Sequence, residues 1–125
     1  MNNKEIHVSL KTARLLKQAG FNVPCHEYYM RKKSWVFLSR DKRDHNALPG
    51  DAYSRPTMSL ALRWLLYERH IHLYADFDPY WQKWYYVIRP ISNSDCCNLD
   101  SGPAYLTCEH ATEAGLQQAL RLAIA

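Results

Sequence analysis

Two apolar alternations meet at Asp78-Pro79-Tyr80-Trp81 and constrain this chain more than any other feature. "RHIHLYADF" precedes the turn and "QKWYYVIR" follows it. Side chains alternate between faces of an extended strand, so each run carries one apolar and one polar face. Pro79 fits a turn and fits a strand interior badly, because it lacks the N–H that a ladder needs. With residues 78–81 as a four-residue loop, Phe77 pairs with Gln82, Asp76 with Lys83, Tyr74 with Tyr85 and His72 with Val87. One face then collects Ile71, Leu73, Ala75, Phe77, Trp84, Tyr86 and Ile88. The other collects His70, His72, Tyr74, Asp76, Lys83, Tyr85, Val87 and Arg89. A sheet with one apolar face must bury it against another layer.

Three segments supply helices. In "SLKTARLLKQAGF", Leu10, Ala13 and Leu16 share a helical face, Ser9 is an N-cap, and Gly20 suits a left-handed C-terminal position followed by Phe21. The helix is expected over about 9–19. "PTMSLALRWLLYERH", capped by Thr57 or Ser59, is apolar around most of its circumference, which predicts a central, buried helix. "CEHATEAGLQQALRLAIA" starts after Thr107 and has Leu116, Ala119, Leu120, Ala123 and Ile124 as its buried stripe. Gly115 inside it costs up to ~1 kcal/mol relative to Ala, and close packing is one reason for a glycine there.

Tyr28, Tyr29, Trp35, Val36 and Phe37 favour two further strands around a turn at Arg31–Ser34. Residues 40–56, with Pro49-Gly50 and Pro56, read as a loop, and so does "SNSDCCNLDSGP". "AYLTC" reads as a short edge strand. The expected architecture is α+β, an antiparallel sheet of about four strands with three helices packed mainly on one face. A chain of 125 residues, 47% apolar and 22% charged, suits a single domain over 1–125. No apolar run reaches the ~20 residues of a membrane span. "MNNKEIHVSLK" lacks a signal-peptide core, so a soluble cytoplasmic protein is expected and Cys25, Cys96, Cys97 and Cys108 are read as thiols.

Chemistry-bearing residues are sparse. His70, His72 and Asp76 share one face of a strand, as metal ligands can. Lys83 and Arg89 on that same face disfavour a cation, which makes it a solvated polar face. Cys25-His26 and Cys108-x-His110 lack the spacings that wrap two ligands around zinc. With four glycines there is no phosphate-cradling loop, and no hydrolase elbow or zinc-protease pattern occurs. Neither a catalytic residue, a metal nor a cofactor is expected.

Two surfaces carry the functional expectation. Residues 1–43 hold ten Lys/Arg against three acids, a balance of +7, while the remainder sums to −3. Lys11, Arg14, Lys17, Arg31, Lys32, Lys33, Arg40, Lys42 and Arg43 are the candidate nucleic-acid contacts. Bases stack on strand aromatics while phosphates pair with such cations. Against that stands the ordinary reading of Tyr28, Trp35 and Phe37 as core residues. The sixteen aromatics, nine of them tyrosine, point to a protein partner or a homo-oligomer, with Tyr74 and Tyr85 as candidate interface residues on the polar sheet face.

"VSLKTARLLKQAGF", "RPTMSLALRWLLYERHIHLYADF" and "EHATEAGLQQALRLAI", in that order and with Pro56–Leu65 at their centre, resemble a group of small uncharacterised proteins encoded by prophages and mobile elements of gut bacteria. The resemblance spans the chain apart from its loops, and "NALPGDAYSRP" and "NSDCCNLDSGP" depart most from the group. It implies a phage or prophage accessory role. It carries over no catalytic or binding residues, because the group has no assigned function. The expected activity is protein–protein contact or self-association, with nucleic-acid binding as the alternative and a small-molecule enzyme third.

Overall fold

The computed structural model describes residues 5–30, 33–47, 50–91 and 98–124. Its elements are α1 (Leu10–Ala19), β1 (Cys25–Met30), β2 (Lys33–Arg43), β3 (Ala52–Ser54), α2 (Met58–Arg69), β4 (Ile71–Asp78), β5 (Lys83–Pro90), β6 (Leu99–Asp100) and α3 (Cys108–Ile124). The α+β class is as expected, but the sheet is not. Among the described residues six strands form two three-stranded antiparallel sheets, ordered β2-β1-β3 and β4-β5-β6, in place of one sheet of about four strands. The added strands β3 and β6 lie within stretches read as loops. At three and two residues they are too short to show an alternation, and pairing with β1 and β5 is what makes them strands. The chain separates into two compact units, the first holding residues 1–61 and the second residues 62–123.

In the first unit, α1 is closed at both ends by local chemistry. The Ser9 hydroxyl accepts the Thr12 N–H. At the other end Gly20 takes φ 95°, its N–H donates to the Lys17 carbonyl at 3.1 Å, and the Phe21 N–H donates to the Leu16 carbonyl at 2.9 Å. This paired arrangement satisfies the last carbonyls and folds Phe21 back into the core, where both Phe21 and Leu16 are fully enclosed. The segment before α1 lies along the start of α2. Val8 N–H donates to the Pro56 carbonyl, and Met58 N–H donates to the Ile6 carbonyl. Asn46 ties the β2–β3 connection down, donating from Nδ2 to the Phe21 carbonyl and accepting the Ser54 N–H on Oδ1, each at 3.0 Å. The core here is built from Val8, Ala13, Leu16, Ala19, Phe21, Cys25, Tyr29 and Ala61.

In the second unit, the β4–β5 register is Asp78↔Lys83, Phe77↔Trp84, Asp76↔Tyr85, Ala75↔Tyr86, Tyr74↔Val87, Leu73↔Ile88 and His72↔Arg89. The loop is therefore residues 79–82, one position later than expected. The Asp78 carboxylate causes this by accepting the Tyr80 and Trp81 N–H groups at 2.9 and 3.2 Å, while Gln82 turns the chain back at φ 54°. The correction moves each pairing by two residues, so the face assignments survive while the partners change. Asp76 faces Tyr85 rather than Lys83, and Tyr74 faces Val87 rather than Tyr85. His70 adopts φ 57° before β4 begins and leaves the row altogether.

On the apolar face Leu73 and Ile88 are buried, while Phe77 is exposed. Val87, on the face read as polar, is also buried. A Cβ on Gly115 of α3 would lie 2.7 Å from Leu73 Cδ1 and 2.8 Å from both Cβ and Cγ of Tyr86, so the helix packs on this sheet as closely as the glycine allows. The buried stripe of α3 is Ala111, Gly115, Leu116, Ala119 and Leu120; Ile124, expected inside, is exposed. From Leu62 onward, α2 buries Trp64 and Leu65 but leaves Tyr67 exposed, so it is less enclosed than its composition suggested. The expected "AYLTC" strand is reduced to one bridge, Tyr105 against Trp84. No helix among the described residues is long and apolar enough to cross a membrane.

Candidate functional site

β2 carries the most unusual surface of the first unit. It is an outer strand, since β1 lies between it and β3, and among the described residues no strand pairs with its other edge. Its sequence places four apolar residues in succession, Trp35-Val36-Phe37-Leu38. One sheet face can bury at most every second one. All four are exposed, at 64, 41, 38 and 73% respectively. Trp35 and Phe37 were expected to be core residues; the outer position of their strand leaves them at the surface. Opposite them the register is Glu27↔Leu38, Tyr28↔Phe37 and Tyr29↔Val36. Tyr29, buried, marks the inner face, and Tyr28 and Phe37 mark the outer one.

The outer face is ordered by ring stacking. Phe37 stacks on Tyr28 with centroids 5.7 Å apart, and Tyr28 stacks on His45 at 4.3 Å. His45 is fixed in turn, with Nε2 2.9 Å from the Cys25 carbonyl and 3.3 Å from Ser39 Oγ. Between Glu27↔Leu38 and Cys25↔Arg43 the register jumps, because β2 carries extra residues there. Ser39 holds this bulge, donating towards the carbonyls of His26 and Asp41. Arg40, Lys42 and Arg43 are exposed on this last part of β2.

On the inner side a groove of about 500 Å³ is lined by His7, Cys25, Glu27, Leu38, Lys42 and Arg55, among others. The Glu27 carboxylate meets His7 Nε2 at 2.5 Å and Arg55 at 3.0 Å. Arg55 Nε also donates to the Tyr29 hydroxyl at 3.0 Å, and that hydroxyl donates to the Val8 carbonyl at 2.7 Å. The network ties the N-terminal segment, β1 and the stretch before α2 together.

Cysteine, histidine and glutamate in one groove resemble the parts of a thiol nucleophile, but the thiol is not activated. Burial first, and the Asp44 charge second, push Cys25 up to about 11. Its Sγ–H points at the Val23 carbonyl, 3.4 Å away. At neutral pH only about one molecule in ten thousand would carry the thiolate, the opposite of what nucleophilic catalysis requires.

The candidate nucleic-acid residues that are described lie on two elements, α1 and β2. Lys17 Nζ donates to the carbonyls of Gly50 and Ala52 at 2.9 and 3.0 Å and sits over the Tyr53 ring; Arg14 shares that ring. Both serve the packing of α1 against β3. Lys11 is exposed, on a different element from Arg40, Lys42 and Arg43. Arg31 and Lys32, with the turn read there, and the side chain of Lys33 lie outside the described residues, as do Cys96 and Cys97. Tyr74 and Tyr85 are half-buried; the Tyr85 hydroxyl donates to Asp76 at 3.4 Å, and Tyr74 contacts the His72 ring. Among the described residues no three His, Cys, Asp or Glu side chains gather where they could hold a metal ion.

The groove network was illegible in the sequence, because His7, Glu27 and Arg55 are widely separated and share no motif. The exposed run on β2 was not legible as a surface: Trp35 and Phe37 read as core, because consecutive apolar residues fit a strand covered on both faces as well as an outer one. Compared with protein-family models, curated proteins and solved structures, the chain finds no match.

Proposed function

We propose that this chain is a cytoplasmic phage or prophage accessory protein that acts by protein–protein contact, with the outer edge of β2 as its contact surface. The observation that carries this reading is the exposure of Trp35, Val36, Phe37 and Leu38 in succession on an outer strand. Such a strand offers unpaired backbone N–H and C=O groups together with apolar side chains, and proteins ordinarily avoid that combination unless something pairs with it. The phage context rests on the resemblance of the three helical segments. A binding role rather than catalysis is supported by the protonated, enclosed thiol of Cys25 and by the spending of Glu27 on structural contacts with His7 and Arg55.

Nucleic-acid binding stays as a second reading, because the Phe37–Tyr28–His45 stack lies in the same sheet as the exposed Arg40, Lys42 and Arg43. It is weakened by the engagement of Arg14 and Lys17 with Tyr53.

The test compares the wild type with Leu38→Lys, a change at the most exposed of the four residues. Light scattering reports self-association, and crosslinking in an extract of the host reports partners. We expect a complex by one of these routes that Leu38→Lys abolishes while its thermal melt is unchanged. A strict 14.7 kDa monomer that crosslinks to nothing, or a complex indifferent to Leu38→Lys, would refute the reading. Binding to a single-stranded oligonucleotide that weakens steeply with salt would favour the second one.

A further inference from the structure

β4 stands first in the sheet order β4-β5-β6, and among the described residues no strand pairs with its other edge. Alternate residues of an antiparallel strand turn their N–H and C=O groups to opposite neighbours. On β5, Trp84 exchanges backbone bonds with Tyr105 and the Tyr86 carbonyl accepts from Ser101, so both turn away from β4. Their partners in the register are Phe77 and Ala75. The outward backbone groups of β4 are therefore those of Ile71, Leu73, Ala75 and Phe77. Of these, the Phe77 N–H is taken by the Asp76 carboxylate at 2.8 Å. The strand runs for eight residues with no register shift against β5, and it holds no lysine, arginine or proline. Bulges, lysine and proline are the usual guards against a further strand.

Charge selects the occupant. The polar face of β4 presents His72, Tyr74 and Asp76 in turn, with Arg89 opposite His72 and Tyr85 opposite Asp76. His72 and Asp76 are exposed. Asp76 Oδ2 receives the Tyr85 hydroxyl at 3.4 Å, a long bond that leaves it capacity to accept another. Basic groups thus sit at one end of the edge, and the carboxylates of Asp76 and Asp78 at the other. A second copy laid parallel would align Asp76 with Asp76, and like charges on neighbouring strands repel. Laid antiparallel about Tyr74, it sets His72 against Asp76 on both sides of the axis. The apolar face agrees. The same register sets Leu73 against Ala75, and Ile71 against Phe77, which is 41% exposed.

We infer that the outer edge of β4 pairs antiparallel with β4 of a second copy about a two-fold axis at Tyr74, joining two three-stranded sheets into one of six strands. Leu73 and Ala75 of each copy exchange backbone bonds with Ala75 and Leu73 of the other. Tyr74 meets its counterpart at the axis. The His72 ring, which carries an N–H in either protonation state, donates to the second copy's Asp76. This surface is separate from β2, which belongs to the other sheet, and the dimer stands whether or not β2 has a partner.

The experiment follows the mass of the full-length chain against concentration by light scattering, with circular dichroism melts checking that each variant folds. We expect the wild type to reach twice 14.7 kDa. His72→Asp sets carboxylate against carboxylate on both sides of the axis and should weaken the dimer about tenfold. Adding Asp76→Lys to His72→Asp restores opposite charges and should recover it. Leu38→Lys should leave the dimer intact, and the β2 reading is then judged on what that change removes beyond the dimer. Amide hydrogen exchange of the wild type, which needs no variant, should slow at Leu73 and Ala75 as concentration rises.

A monomer at every concentration, or a dimer whose Leu73 and Ala75 amides exchange as fast as in the monomer, would overturn the inference. A dimer that Leu38→Lys dissociates would overturn it by placing the contact on β2. A dimer weakened by His72→Asp and not recovered by the double variant would overturn the antiparallel pairing of His72 with Asp76.

Discussion

Gly115→Ala tests the packing of the second unit, because two large effects oppose each other there. In an isolated helix the change would stabilise α3 by up to about 1 kcal/mol, since glycine gives up more backbone freedom than alanine. Here the new methyl would meet Leu73 Cδ1 at 2.7 Å and Tyr86 Cβ and Cγ at 2.8 Å, all inside contact distance. The leucine methyl ends a side chain and can rotate away. The tyrosine atoms sit next to the β5 backbone and cannot move without shifting the strand or the helix. Overpacking of this kind costs about 1–3 kcal/mol, so after the helix gain the net effect should be a loss of up to about 2 kcal/mol. Urea unfolding followed by circular dichroism measures it as a lower midpoint with an unchanged slope. The melting temperature should fall by roughly 4 °C for each kcal/mol. Leu73→Ala removes one of the three obstacles, so Gly115→Ala should cost less in that background than in the wild type. A Gly115→Ala protein more stable than the wild type would refute the close approach of α3 to Leu73 and Tyr86.

Two further outcomes follow from the first unit. Tyr29→Phe removes the hydroxyl that donates to the Val8 carbonyl and accepts from Arg55, and should cost about 1–2 kcal/mol in urea unfolding; an unchanged midpoint would show that the network contributes nothing. Cys25 should resist iodoacetamide at pH 8 in the native protein while reacting fully once unfolded, with native alkylation rising only as pH approaches 11. Because the folded pKa is raised above the ordinary 9.0, the stability linked to this thiol is complete below pH 9 and is lost as pH climbs towards 11. Native alkylation at pH 8 as fast as that of unfolded protein would contradict the enclosure of Cys25.

The sequence by itself determined the local events. Ser9, Gly20 and Phe21 close α1 through bonds that reach no further than one turn. The alternation through β4 and β5 assigned Leu73 and Ile88 to a buried face even with the register two residues out, because a shift of two preserves parity. Thr107 capped α3, and the glycine within it proved to sit against the sheet.

Tertiary structure decided what depends on residues far apart. β3 and β6 exist because β1 and β5 offer them an edge, and a strand of two or three residues carries no period of its own. Lys17 and Arg14 are held against β3 because Tyr53 and, for Lys17, the carbonyls of Gly50 and Ala52 lie within their reach. Whether Trp35–Leu38 would be core or surface turned on strand order. Composition cannot distinguish an apolar strand covered on both sides from one left at the edge, and here, among the described residues, β2 stands outermost with its apolar centre exposed.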